Sequence, residues 1–170
     1  QIISNEKNLD YFKIKKKILK KLKHKNIQIF LKANFNKKLL NSYDKIIIAT
    51  YDNNNALLNQ LGIKIRNKYK FELVEKIIIK MPVRFKSKSY MVLDGKFVCL
   101  DPYVGTKYHL LSDVKNSKLE IVKGKYAKFN HFNKKYLNKG IIKKKNKSQF
   151  NNFINHGSKY LPIIKKAKYI

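Results

Sequence analysis

The residues of this chain best suited to chemistry are four histidines, one cysteine, two arginines and a pair of aspartates, and their spacing limits what they can do. His24, His109, His131 and His156 are scattered, and none stands at the short spacing that lets imidazoles share a metal ion, so no metal site is expected. His109 ranks first as an acid–base group because it heads an apolar stretch. Asp94 and Asp101 flank a short apolar run and can be read as paired carboxylates, yet Asp94-Gly95 and Asp101-Pro102 are also turn dipeptides. Cys99 has no second cysteine for a disulfide or a CxxC pair and reads as a small buried hydrophobe. Arg84 has the planar fork that holds a carboxylate through two hydrogen bonds. The chain contains no GxGxxG, Walker, HExxH or GxSxG pattern.

The elements that must position these residues sit in a chain of 170 residues with a formal charge of +30. A field of that size attracts nucleic acid or anionic surfaces. The cation used is almost always lysine: 38 lysines stand against two arginines, beside 21 isoleucines and 19 asparagines. All three common residues have codons rich in A and T, whereas glycine and proline are scarce. A coding bias therefore accounts for much of the lysine, and the arginine fork that reads bases and clamps phosphates is nearly missing. A lysine-rich RNA-binding or ribosomal protein remains the alternative reading, carried by clusters such as Lys15 to Lys17 and Lys143 to Lys145. No apolar run is long enough to span a bilayer or to read as a signal peptide, which predicts a cytoplasmic chain.

Leu9, Phe12, Ile18, Leu19 and Leu22 recur at helical spacing in LDYFKIKKKILKKLKHKN, predicting an amphipathic helix that ends near Asn26. IQIFLKANF (27–35) has strand composition, and KIIIAT (45–50) reads as a second strand covered on both faces. NNALLNQL (54–61) reads as a short helix closed by Gly62. From Lys64 the texture becomes β: YKFELVEKIIIKMPV as one long segment, SYMVLDGKFVCLDPY as a hairpin around Asp94-Gly95, and KYHLLSD as a further strand. SQFNNFINHG (148–157) reads as a helix capped by Ser148 and stopped by Gly157. The expected class is α+β, with α/β character in the first part, divided at 1–63, 64–125 and 126–170.

The order helix, strand, link, apolar strand with Ala-Thr, short helix and antiparallel sheet resembles the flavoprotein superfamily of D-amino-acid oxidase and glycine oxidase. In that family an FAD domain is interrupted by an antiparallel substrate domain. NIQIFLKANF looks like the strand and loop beside the adenosine of FAD, and YDKIIIAT looks like the following acidic, hydrophobic, Ala-Thr-Gly segment. Asp44 matches the acidic lead and Ile46 to Ile48 the hydrophobics, while Tyr51 stands where glycine is usual. The resemblance implies FAD as cofactor, with Phe35, Ala49, Thr50 and Tyr51 on its adenosine side. It also implies hydride transfer from a C–N bond of a small amine or amino acid to the flavin, followed by reoxidation. Arg84, Tyr90, Tyr103, Tyr108 and His109 are the implied substrate contacts. Residues 1–63 would be a partial FAD-binding domain, 64–125 the antiparallel substrate domain, and 126–170 a helical segment returning to the former. The family's glycine-rich loop and its closing strand would lie before Gln1 and after Ile170, making the chain an internal fragment that depends on flanking parts of its own polypeptide.

Overall fold

The structure, a computed structural model, describes residues 3–23, 26–85, 87–93, 97–137, 139–142 and 148–170. His24, the Asp94-Gly95 turn and the Lys143 to Lys145 cluster fall outside them. The chain has helices together with antiparallel sheet and is of the α+β class. It divides into two compact units, one of Gln1–Gln28, Val74–Lys118 and Gly140–Ile170, the other of Ile29–Leu73 and Leu119–Lys139.

In the first unit, α1 (Tyr11–Lys21) begins where the Asp10 side chain accepts the Lys13 N–H at 3.0 Å, and it ends at Lys21 rather than near Asn26. Lys20 and Lys21 in its last turn suit the negative end of the helix dipole. The apolar stripe is present, but α1 has no buried residue. Its Phe12 ring lies against Gly105, whose φ of +86° only glycine adopts readily, and 5.9 Å from the Tyr103 ring.

The segment expected as one long strand is two. β1 (Tyr69–Val74) and β2 (Ile77–Lys80) belong to different sheets, with Glu75 and Lys76 between them. β2 joins β3 (Tyr90–Met91), β4 (Val98–Pro102), β5 (His109–Asp113) and β7 (Lys168–Tyr169) in a five-stranded sheet of order β3-β4-β5-β2-β7. Its neighbours pair antiparallel, with Leu100 opposite Leu111 and Leu111 opposite Ile77. β3 and β4 pair as the hairpin signal implied. Asp101 and Pro102, expected in a turn, are instead the last residues of β4.

Strand alternation puts Ile77, Ile79, Val98, Leu100, Leu111 and Asp113 on one face. The helix α4 (Phe150–Gly157) and the 3₁₀ turn Pro162–Lys166 cover it, adding Phe153 and Ile164, both fully buried. Each of these side chains contributes about 1.5–3 kcal/mol on burial. The N-cap of α4 is Gln149 rather than the expected Ser148, whose Oγ accepts the Phe150 N–H at 3.2 Å. Glu75 accepts both the Ser148 Oγ–H at 2.8 Å and the Gln149 N–H at 3.0 Å, which fixes the helix start to the residue that separates β1 from β2. Gly157, expected to stop the helix, is its last residue and serves packing: a Cβ there would lie 3.1 Å from Ile164 Cδ1 and 3.3 Å from Val98 Cγ1.

The second unit departs most from expectation. IQIFLKANF and KIIIAT form no strand. Lys32, midway through the first, has φ +57°, which breaks the pleat, and Phe30 and Leu31 are exposed. In the second, Ile47 is 92% exposed, the opposite of a strand covered on both faces. Neither segment has a ladder partner among the described residues, so their β-type composition finds nothing there to pair with. The helix α2 (Asn54–Gln60) forms as expected. Gly62 at φ +77° closes it with the Gly62 N–H on Asn59 O and the Ile63 N–H on Leu58 O, the paired bonds of a Schellman end. Buried Asn55 donates to Lys125 O at 2.7 Å, just beyond β6 (Lys118–Gly124), the partner of β1. Glu120 of β6 holds the Asn130 N–H at 3.0 Å and the Asn133 side chain at 2.9 Å, anchoring the one-turn helix α3 (His131–Lys134).

Candidate functional site

The expected cofactor and substrate residues fall into separate units. Phe35, Ala49, Thr50 and Tyr51 are in the second; Arg84, Tyr90, Tyr103, Tyr108 and His109 are in the first.

In the second unit, Phe35 is half-buried while Ala49 and Thr50 are exposed. The Asn54 side chain accepts from both the Thr50 N–H (2.8 Å) and the Thr50 hydroxyl (2.9 Å), so the backbone turns sharply into α2. Tyr51, at that turn, has φ +55°, a conformation natural to glycine and uncommon for a side-chain-bearing residue. Its ring is 91% exposed, so the side chain is turned out while the backbone keeps a glycine-like path.

In the first unit, the sheet separates the aromatic candidates by face. Tyr90 and His109 lie on the covered face, Tyr90 against the Phe85 ring and the core, His109 opposite Ile79 and Pro102. His109 is 1% exposed, and its Nε2–H donates to Phe85 O at 2.8 Å. Its Nδ1 has no hydrogen-bond partner among the described residues. Tyr103 and Tyr108 follow and precede the paired strands, joined by the Tyr103 N–H to Tyr108 O bond at 2.9 Å. Arg84 is exposed and stacks 5.1 Å over the Phe85 ring.

The opposite, outer face carries Met91 of β3, Cys99 and Asp101 of β4, Leu110 and Ser112 of β5, and Ile78 and Lys80 of β2. Met91 and Lys80 are exposed and the others half-buried. The Cys99 thiol is held above the ordinary thiol range by burial and by the Asp101 carboxylate, partly offset by Lys76, so it is a poor nucleophile at neutral pH. Ser89 donates its hydroxyl to Asp101 Oδ1.

Sequence reasoning missed one buried polar assembly. Asp113, 1% exposed, accepts from the Lys115 N–H (2.8 Å), the Asn116 N–H (3.1 Å), the Asn116 side chain (2.7 Å) and His156 Nδ1 (2.9 Å). With Nδ1–H donating, the carboxylate fixes the imidazole tautomer and ties the end of β5 to α4. Four donors satisfy the buried charge, and the arrangement clamps the fold. Its members are 43 residues apart, and only the topology brings them together.

Among the described residues no group of three His, Cys, Asp or Glu side chains gathers for a metal ion, and no helix is long and apolar enough to cross a membrane. No protein-family model, curated protein or solved structure matches the chain.

Proposed function

We propose that the chain is part of an FAD-dependent oxidoreductase acting in the cytoplasm on a C–N bond of a small amine or amino acid. The observation that carries this reading is the five-stranded antiparallel sheet, packed by α4 on one face and half-open on the other, following a helix-and-turn region that ends in Ala-Thr and a residue of positive φ. An antiparallel sheet after an Ala-Thr segment is the later part of the element order of the flavoprotein family the sequence resembles, although the two strands expected ahead of it at 27–35 and 45–50 do not form, and Tyr51 supplies by its backbone the conformation that family obtains with glycine. Ala49, Thr50 and Tyr51, with Phe35, would line the adenosine. The exposed Ala49 and Thr50 and the outward Tyr51 fit that role. When bound, FAD supplies the acceptor for a hydride from the carbon beside nitrogen. The part of the chain's own residues is to seat and orient the substrate: Leu110, Ile78 and Cys99 offer an apolar floor that excludes water, with polar groups beside it. The reading also requires a glycine-rich pyrophosphate loop, which these 170 residues do not contain.

The test is flavin content. The chain expressed within its complete native reading frame is expected to purify with about one flavin per polypeptide, released on denaturation. A complete protein that neither carries nor takes up flavin would refute the proposal. A second reading, RNA binding, is favoured by the exposed lysines of α1, Lys13, Lys16, Lys17 and Lys20. It predicts RNA affinity that falls steeply with salt and exceeds that of a charge-matched control.

A further inference from the structure

The outer face of the five-stranded sheet is electrically lopsided. Lys80 of β2 and Lys168 of β7 stand opposite one another at one side, with Lys76 just before β2. Two ladder steps away, about 10 Å across the strands, Asp101 of β4 lies opposite Leu110 of β5. Asp101 is half-buried, and its Oδ1 is engaged by the Ser89 hydroxyl. Its Oδ2 accepts no hydrogen bond from a described residue, and among those residues no cation pairs with it. Asp52 and Glu120 are also half-buried carboxylates with no paired cation among the described residues, but of the three only Asp101 stands on the five-stranded sheet. Its neighbours on the face, Cys99 and Leu110, are apolar or neutral, so a charge-assisted bond to it would form in partly desolvated surroundings, where it is strongest. Arg84, the candidate carboxylate clamp, is committed elsewhere, stacked on Phe85.

We propose that Asp101 is a specificity-determining residue that takes a cationic amino group of the substrate. The free Oδ2 accepts an ammonium N–H, Ser89 holds Oδ1 so that the carboxylate is preset, and Leu110 meets the apolar part of the ligand. This rests on the flavoprotein reading and narrows its substrate class: a cationic amine is bound through its nitrogen, and a simple carboxylate is not.

The test uses benzylammonium chloride as probe, followed by amide NMR of the whole chain, with sodium benzoate as the anionic counterpart. Benzylammonium is expected to shift the amides of Ser89, Asp101 and Leu110 saturably in the millimolar range; benzoate is not. In Asp101→Asn the shifts are expected to vanish while the spectrum stays folded. Ser89→Ala, a milder change, is expected to weaken binding about two- to fivefold, and it keeps the test decisive if Asp101→Asn does not fold. Equal shifts in wild type and variants, or none in wild type, would overturn the assignment. Flavin content of the complete protein is scored separately: flavin present with no benzylammonium effect refutes the role of Asp101 and leaves the oxidoreductase reading standing. Flavin absent removes both.

Discussion

Two stretches of this chain contain the same three isoleucines and meet opposite fates. Ile77, Ile78 and Ile79 form β2, with Ile77 2% exposed and Ile79 0%. Ile46, Ile47 and Ile48 form no strand, and Ile47 stands 92% in solvent. Side-chain preference for extended backbone is identical in the two, so it does not decide. The first triplet has β5 on one edge, β7 on the other and α4 with Ile164 beneath. The second has no strand on either edge among the described residues. Strand propensity is largely the reward of fitting a pleated, half-buried surface, and without neighbours it is not collected.

The contrast is sharpest under truncation. Ile79→Ala is expected to destabilise the fold by about 2–5 kcal/mol through lost burial and the cavity left behind, and Ile47→Ala by no more than about 0.5 kcal/mol; urea denaturation measures both. A cost at Ile47 matching that at Ile79 would mean the second triplet is packed after all. Gly157→Val tests the cover of β2 from the helix side. The added side chain must push into Ile164 and Val98, and a loss of about 1–3 kcal/mol is expected, read as a lower urea midpoint.

Smaller effects probe the turn beside the exposed triplet and the outer face. Tyr51→Gly relieves a left-handed backbone and is expected to stabilise by about 0.5–1 kcal/mol; a clear loss would show that the ring makes contacts that outweigh the strain. Cys99 has the smallest expected signature. Its folded thiol holds its proton above the ordinary thiol range, so the folded state keeps a proton that the unfolded chain has given up. The contribution of Cys99 is thus fully present below the ordinary thiol value and is lost as pH rises past it. The stability difference between wild type and Cys99→Ala, followed by urea titration across alkaline pH, is expected to move in that direction. A difference independent of pH would contradict the burial of the thiol.

Legibility followed partnership. The β3–β4 hairpin, β5 and α2 with its Gly62 end were readable because the signals that make them are local: alternation, turn residues, a positive-φ cap. Strands at 27–35 and 45–50 were expected from composition, but nothing local reports whether a ladder partner exists. The single segment 69–83 hid two strands because its break depends on Glu75, whose purpose is set by Ser148 and Gln149 more than 70 residues later. Of the candidate site, Tyr51 was marked by its departure from glycine and has the backbone to match. Tyr90 and His109 were chosen by their position on the β segments, yet alternation turns both to the covered face. Asp101, set aside as a turn residue, is on the outer face because Pro102 ends β4 instead of starting a turn. The Asp113–His156 clamp left no trace in spacing.

Hydrogen exchange at the two isoleucine triplets tests the central contrast most directly. Amides from Ile77 to Lys80 are expected to be protected by orders of magnitude while those from Ile46 to Thr50 exchange near the rate of an unfolded peptide. Comparable protection in both triplets would contradict it, and would restore a paired strand where the cofactor side of the chain was first expected to have one.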